Sequence, residues 1–137
     1  MISLILVSHG DLAAGVKNAA DIIFGKEKDV VTISYTPEIG PSDLKEKLEH
    51  ELKNLINSNG FLFMADIFGG APYNVAAEIV IEDPKNRSLL SGLNLSMLLE
   101  AYSARLSYRD PNKLADYLID ISKMDIKKFD PSIRARI

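Results

Sequence analysis

Along the chain, segments with the apolar pattern of β-strands alternate with segments in which apolar residues recur at helical spacing. Ile2 to Val7 is a nearly continuous apolar run, which is typical of a parallel strand that is buried on both faces. Val30 to Tyr35 is rich in β-branched and aromatic residues, and Phe61 to Ala65 is apolar throughout. Both segments predict further strands. A short fourth strand is predicted around Ser88 to Leu90, and Ile126 to Phe129 is interpreted as a last short strand.

Between the strands, apolar residues recur at helical spacing. The first of these segments is followed by Gly25, a typical helix terminator, and the last begins at Asp110-Pro111, a cap followed by proline. Five helices are predicted in this way. Their apolar positions are Leu12, Val16, Ala19, Ala20 and Ile23; Leu44, Leu48, Leu52 and Leu55; Val75, Ala76, Ile79 and Val80; Leu98, Leu99 and Tyr102; and Leu114, Tyr117, Leu118 and Ile121.

This alternation predicts an α/β fold. Strands that alternate with helices of about ten to fifteen residues favour right-handed βαβ units and a mostly parallel sheet with helices on both faces. With four or five strands we expect the flavodoxin-like order 2-1-3-4-5, and we interpret residues 1–137 as one domain. Sites in such sheets lie beyond the carboxyl ends of the strands where the order reverses. That place is just after Val7 and Ala65.

Composition excludes several kinds of protein. With 47% hydrophobic and 26% charged residues, the chain has the composition of an ordinary globular protein, and its net charge of -3 gives no reason to expect nucleic acid as a partner. No cysteine is present, which excludes disulfides and a thiol nucleophile. No apolar run approaches the roughly 18 residues of a membrane span, and no basic segment precedes the first run. We therefore expect a cytoplasmic protein.

The two histidines of the chain lie in different settings. His50 is on the second predicted helix, about 200° around from Leu48, and is therefore expected on the solvated face. His9 directly follows the first strand, at the edge where this fold places its sites. A loop histidine that only bonds the backbone is the alternative interpretation of His9.

Asp66 follows the third strand, and this strand is expected beside the first. Because neighbouring strands lie about 5 Å apart, the Asp66 carboxylate is expected within reach of the His9 ring. A carboxylate that accepts the Nδ1 proton fixes the tautomer and presents Nε2 for attack. It also stabilises the positive charge that the ring gains as a bond to phosphorus forms. The alternative role of Asp66 is to cap the following turn.

A glycine-rich segment, Gly69-Gly70-Ala71-Pro72, precedes the third helix. Two glycines allow the backbone to approach a ligand, and the start of a helix offers free N–H groups to a phosphoryl dianion, although a tight loop would use the same glycines. The predicted phosphate-binding residues are Gly10, Gly69, Gly70 and Ala71. No nucleotide-binding fingerprint, serine triad or third histidine accompanies them, so no cofactor or metal is expected. The pattern indicates a histidine that receives phosphate from another protein and passes it on.

Three motifs carry a family resemblance: Ser8-His9-Gly10, the segment from Asp66 to Asn74, and the segment from Gly92 to Leu98. From Ile2 to about Leu118 the chain resembles the IIA component of the mannose/fructose/sorbose class of the phosphoenolpyruvate-dependent sugar phosphotransferase system. The resemblance implies that His9 accepts phosphate on Nε2 from the phosphocarrier protein HPr and donates it to a IIB protein. It implies that Asp66 orients His9.

The resemblance also implies an assembly. Family members are expected to form homodimers in which a C-terminal strand is exchanged, and Ile126 to Phe129 is the candidate segment. Because the chain ends at Ile137, we expect the IIB partner to be a separate polypeptide. The membrane components IIC and IID select the sugar, so the sequence of a IIA component does not indicate which sugar is transported.

The chain departs from the family pattern at two positions. Ala71 stands where serine is common, so a side-chain hydroxyl near the phosphate is missing. Two outcomes are open: backbone N–H groups do the same work, or phosphate is lost faster or transferred more slowly. Ser96 stands where proline is usual, which is expected to loosen the loop before the fourth helix.

Other functions remain open from the sequence. The nearest is a phosphoryl donor for a phosphotransferase-dependent dihydroxyacetone kinase. More distant ones are a flavin-binding module, for which Ser8 to Asp11 is a poor phosphate loop, and a regulatory phosphohistidine protein.

Overall fold

The sheet has four strands, all parallel. The computed structural model describes residues 1–133, and its strands are β1 (Ser3–His9), β2 (Val30–Tyr35), β3 (Phe61–Ala65) and β4 (Arg87–Leu90). They lie in the order β2-β1-β3-β4. The predicted α/β fold is confirmed, and so is the reversal of strand order at β1.

Five helices connect and follow these strands, and the last one begins at the expected Asp110-Pro111. Proline lies in the first turn of three of them, and Asn94 and Asp110 each accept a backbone N–H as N-caps. None of the helices in residues 1–133 has the length and apolar character needed to cross a membrane. The helices are α1 (Leu12–Phe24), α2 (Pro41–Asn54), α3 (Ala71–Glu82), α4 (Leu95–Ala104) and α5 (Pro111–Lys123).

The prediction of a last strand at Ile126 to Phe129 is wrong. This segment follows α5 as irregular chain, and the sheet of residues 1–133 ends at β4. A strand needs a neighbour for its backbone N–H and C=O groups, and here Ile126 is 86% and Phe129 64% exposed. The strand order is therefore 2-1-3-4 rather than 2-1-3-4-5. Exchange of this segment within a dimer stays a prediction.

Two apolar layers enclose the sheet. One is formed with α1, α4 and α5 and the other with α2 and α3, and the apolar residues of β1 divide between them. On α1 the buried residues are Ala13 and Ala20, whereas Leu12 is 48% and Ile23 63% exposed. Small side chains let this helix lie close to the sheet, which leaves part of its predicted apolar face in solvent. As the enclosed inner strand, β1 is a rigid support for the residue at its end.

Candidate functional site

The backbone around His9 is fixed by its neighbours. His9 is the last residue of β1 and pairs in register with Tyr35, the last residue of β2. The chain then turns at Gly10, which has a φ of 55° and donates its N–H to the Tyr35 carbonyl at 2.8 Å. The buried Ser8 hydroxyl donates to the Gly10 carbonyl and accepts the Ala13 N–H at 2.8 Å. The His9 side chain is held at this turn with 51% of its surface exposed.

The Asp66 carboxylate meets His9 at two points. Its Oδ2 atom accepts the His9 backbone N–H at 2.9 Å and lies 2.8 Å from the His9 Nδ1 atom. Its Oδ1 atom accepts the Ile67 N–H at 2.9 Å. Only 10% of the Asp66 side chain is exposed. Both carboxylate oxygens are therefore fixed relative to the strand and to the ring.

These contacts decide the charge of Asp66. Burial by itself raises the pKa of this carboxyl group, but the hydrogen bonds from His9 and from the Ile67 N–H outweigh it and hold the pKa below its ordinary value. An ionised carboxylate at Nδ1 favours the tautomer in which Nδ1 carries the proton. The lone pair is then on Nε2, which makes no hydrogen bond among residues 1–133. The arrangement presents a nucleophilic nitrogen to solvent.

The start of α3 lies against the same ring. Gly69 has a φ of 78°, and its carbonyl accepts a hydrogen bond from the Asn74 side chain at 3.1 Å. Gly70 is the N-cap, and a Cβ atom placed on it would lie 3.0 Å from His9 Cε1 and 3.8 Å from Nε2. Ala71 is the first helical residue. The free N–H groups of a first helical turn and its positive dipole end favour an anion at this place.

The structure brings together most of the predicted site residues. His9, Asp66 and Gly70 are in contact, Gly69 and Ala71 flank Gly70 in the chain, and Gly10 forms the turn behind His9. His50, the second histidine, and Ser96, which departs from the family pattern, do not contact the His9 ring. His50 is an exposed residue of α2, and Ser96 lies in the first turn of α4, which Asn94 caps.

Sequence reasoning missed three residues that shape the site. The Ser8 hydroxyl and the Asn74 amide fix the two turns. The Tyr35 ring lies perpendicular to the His9 ring, at 88° and with 5.8 Å between the ring centres. The signal for Tyr35 was available, because it ends the second strand as His9 ends the first and the two strands were expected to be neighbours.

Comparisons with known proteins agree on one family. Residues 3–117 match the family model EIIA-man, described as the PTS system fructose IIA component. The chain is 36% identical over 129 residues to the PTS system fructose-specific EIIA component of Bacillus subtilis (strain 168), which covers 94% of this chain and 85% of that protein. It is 32% identical over 104 residues to the PTS system mannose-specific EIIAB component of Escherichia coli (strain K12), covering 76% of this chain but only 32% of that longer protein. Among solved structures, phosphotransferase system component EIIA from Streptococcus agalactiae superposes with a TM-score of 0.86 at 33% identity, covering 94% of this chain and 98% of that one.

Proposed function

Because the chain belongs to the EIIA-man family of sugar phosphotransferase-system components, we propose that His9 carries a phosphoryl group between two other proteins of such a system. The donor is HPr and the acceptor is a IIB protein, and the transfer takes place in the cytoplasm. The observation that carries this proposal is the 2.8 Å contact of Asp66 Oδ2 with Nδ1, which leaves Nε2 open. The relatives are named for sugar systems, which favours this acceptor over a dihydroxyacetone kinase subunit.

The transfer is a displacement at phosphorus. The Nε2 lone pair attacks the phosphorus atom of the phosphorylated donor, the Nε2–P bond forms, and the bond from phosphorus to the donor nitrogen breaks with its electron pair returning to that nitrogen. The Nδ1 proton stays on His9, in its hydrogen bond to Asp66. In the second step the acceptor nucleophile of IIB attacks the same phosphorus, and the electron pair of the Nε2–P bond returns to His9.

Two fixed features of the site stabilise the phosphorylated state. The ring gains positive charge as the Nε2–P bond forms, and the Asp66 carboxylate already lies beside it. The phosphoryl oxygens are placed near the first turn of α3, because Gly70 packs against the Cε1 edge of the ring next to Nε2. The half-exposed ring leaves the approach to Nε2 open for a partner protein.

The test is phosphate uptake from phosphoenolpyruvate through enzyme I and HPr. We expect one acid-labile phosphate on the wild-type protein, none on His9→Ala, and an unchanged amount on His50→Ala, the matched histidine control. Addition of a purified IIB protein of the same class then removes the phosphate. Uptake that is absent from the wild type, or that persists in His9→Ala, would contradict the proposal. Transfer to a dihydroxyacetone kinase subunit but not to IIB would contradict the proposed acceptor.

The homodimer that the family resemblance implies is a separate part of the proposal. The dimer is tested by light scattering, which measures the molar mass in solution over a range of protein concentrations. A monomer at all concentrations would contradict the dimer and leave the chemistry of His9 unaffected.

A further inference from the structure

Two aromatic side chains end neighbouring strands at the site. His9 and Tyr35 are paired in register at the carboxyl ends of β1 and β2, and paired positions of adjacent strands present their side chains to the same face of a sheet. Their ring planes are perpendicular, at 88°, with the centres 5.8 Å apart. This is the T-shaped geometry in which aromatic rings attract one another.

The remaining contacts of the imidazole come from the opposite side of β1. Asp66 follows β3 and Gly70 begins α3, and β3 is the strand on the other side of β1 from β2. The single hydrogen bond at Nδ1 holds one edge of a ring that is half exposed. Without a contact on the β2 side, the ring is free to rotate, which moves the Nε2 edge away from the start of α3 and takes Nδ1 out of its hydrogen bond to Asp66 for part of the time. Tyr35 occupies that side.

Tyr35 is itself well anchored. Its side chain is half-buried and packs against the apolar layer formed with α2 and α3. Its carbonyl accepts the Gly10 N–H at 2.8 Å, so its backbone is tied to the turn after His9. Among residues 1–133 its hydroxyl makes no side-chain hydrogen bond. The contact with His9 therefore involves the ring rather than the phenol oxygen.

We propose that Tyr35 is a positioning residue for His9, whose ring keeps the imidazole turned so that Nε2 faces the start of α3. This inference rests on the proposed phosphoryl-carrier function. Tyr35 acts through the orientation of His9 and does not touch the phosphoryl group. Its ring, with Asp66 and Gly70 on the other side, confines the imidazole between two supports.

The test compares variants that keep or remove the aromatic ring. Tyr35→Phe keeps the ring and loses the hydroxyl, whereas Tyr35→Leu keeps an apolar side chain and loses the ring, with Tyr35→Met as a second ring-free variant if the first does not fold. Tyr108→Leu is the matched control, because Tyr108 is a half-buried tyrosine on the other apolar layer and its aromatic partner is Tyr117 rather than His9. Two measurements are made: the ¹⁵N spectrum of the His9 ring without phosphate, and the rate of phosphoryl transfer from phosphorylated HPr.

In Tyr35→Leu we expect a mixture of His9 tautomers in place of one, and a transfer rate at saturating HPr that is lower by about two- to tenfold, with half-saturation unchanged. Tyr35→Phe and Tyr108→Leu keep the wild-type spectrum and rate. An unchanged spectrum and rate in the ring-free variants would overturn the proposal. An equal loss of rate in Tyr35→Phe would also overturn it, because the effect would then come from the Tyr35 hydroxyl and not from its ring.

The two measurements separate this inference from the proposed function. If the wild-type protein takes up no phosphate, the carrier function fails. The ¹⁵N comparison needs no phosphate and still decides whether the Tyr35 ring orients His9.

Discussion

An ionisable side chain lies at each end of β1, His9 from the strand itself and Arg105 from the end of α4, and the two are held in opposite ways. At the carboxyl end the His9 side chain is 51% exposed, and one carboxylate meets one ring nitrogen. At the amino end Arg105 is 1% exposed. Its guanidinium donates to the carbonyls of Ile2 at 3.2 Å and Lys28 at 2.7 Å, and it lies 3.4 Å from Glu27.

The network at the amino end continues away from the strand. The Arg105 guanidinium lies 6.0 Å from the centre of the Tyr102 ring, and the Tyr102 hydroxyl donates to Asp21 at 2.8 Å. Burial, with the Asp21 charge added, raises the pKa of Tyr102 far above its ordinary value, so the hydroxyl stays a donor. Lys17 pairs with Asp21 on the other side.

The contrast separates a side chain whose two terminal nitrogens both donate within the fold from one that leaves a ring nitrogen without a partner among residues 1–133. A buried cation is tolerated only when acceptors surround it, and Arg105 has these three acceptors from two segments of the chain. His9 is tied at Nδ1 and open at Nε2. Side chains are thus enclosed at one end of the strand and half exposed at the other.

The largest expected effect is on stability, at the amino end. In Arg105→Met the carbonyls and Glu27 lose their donor, and we expect the free energy of unfolding to fall by about 3–5 kcal/mol. Urea unfolding measures it. Lys123→Met, a change at an exposed lysine, should stay within about 0.5 kcal/mol of the wild type. If Arg105→Met still folds, it should take up phosphate normally. A variant that is as stable as the wild type but takes up no phosphate would show that the amino end serves phosphate uptake rather than stability.

The next effect is on rate, at the carboxyl end. Asp66→Ala removes the acceptor at Nδ1 and the charge beside the ring, and we expect phosphoryl transfer from HPr to slow by about 100-fold or more while the fold is kept. Rapid-quench kinetics measures the rate, and circular dichroism checks the fold. Asp11→Asn, at an exposed acid near the same turn, is the matched control and should transfer at a rate close to that of the wild type. Unchanged kinetics in Asp66→Ala would rule out the orienting role.

A smaller effect is expected from one methyl group. In Gly70→Ala the new Cβ would lie 3.0 Å from both His9 Cε1 and Ile67 Cγ2, so these side chains must shift, and we expect transfer to slow by about two- to tenfold. Gly15→Ala, within α1, meets nothing within 4 Å. It should leave the rate unchanged and raise stability by roughly 0.5–1 kcal/mol. Equal rates in the two variants would show that the ring does not depend on its contact with Gly70.

The smallest effect is a pH dependence of stability. Because the pKa of Asp66 is lowered in the folded protein, its contacts with His9 stabilise the fold above the ordinary carboxyl pKa of about 3.8. That stabilisation is lost as the pH falls through the lower folded pKa. Urea unfolding should therefore show a gap between wild type and Asp66→Ala at pH 6 that narrows below about pH 3.8. A gap that widens on acidification would mean that the carboxyl group is not held as a carboxylate.

Much of the site could be predicted because it depends on topology. The buried first strand and the parallel order place the residues just after Val7 beside those just after Ala65, which brings His9 and Asp66 together. The bounds of β2 and β3 follow directly from their apolar runs. Contacts that depend on register and side-chain direction were not predicted. The Tyr35 ring and the Ser8 hydroxyl belong to that group.

The errors have a common physical cause. An apolar pattern predicts that a face is buried, but it does not show which element would cover that face. At Ile126 to Phe129 the pattern suggested a strand, yet no neighbouring strand pairs with it within residues 1–133. On α1 the alanines pack on the sheet while Leu12 and Ile23 remain exposed, because close approach favours the smaller side chains.

The most direct test of the central claim is the site of attachment of phosphate on the imidazole. The protein is labelled with ¹⁵N at histidine, phosphorylated through HPr, and studied by ¹⁵N and ³¹P NMR at neutral pH. We predict that phosphorus couples to Nε2 of His9 while Nδ1 keeps its proton in the hydrogen bond to Asp66. Phosphate on Nδ1 of His9, or on His50, would contradict this account.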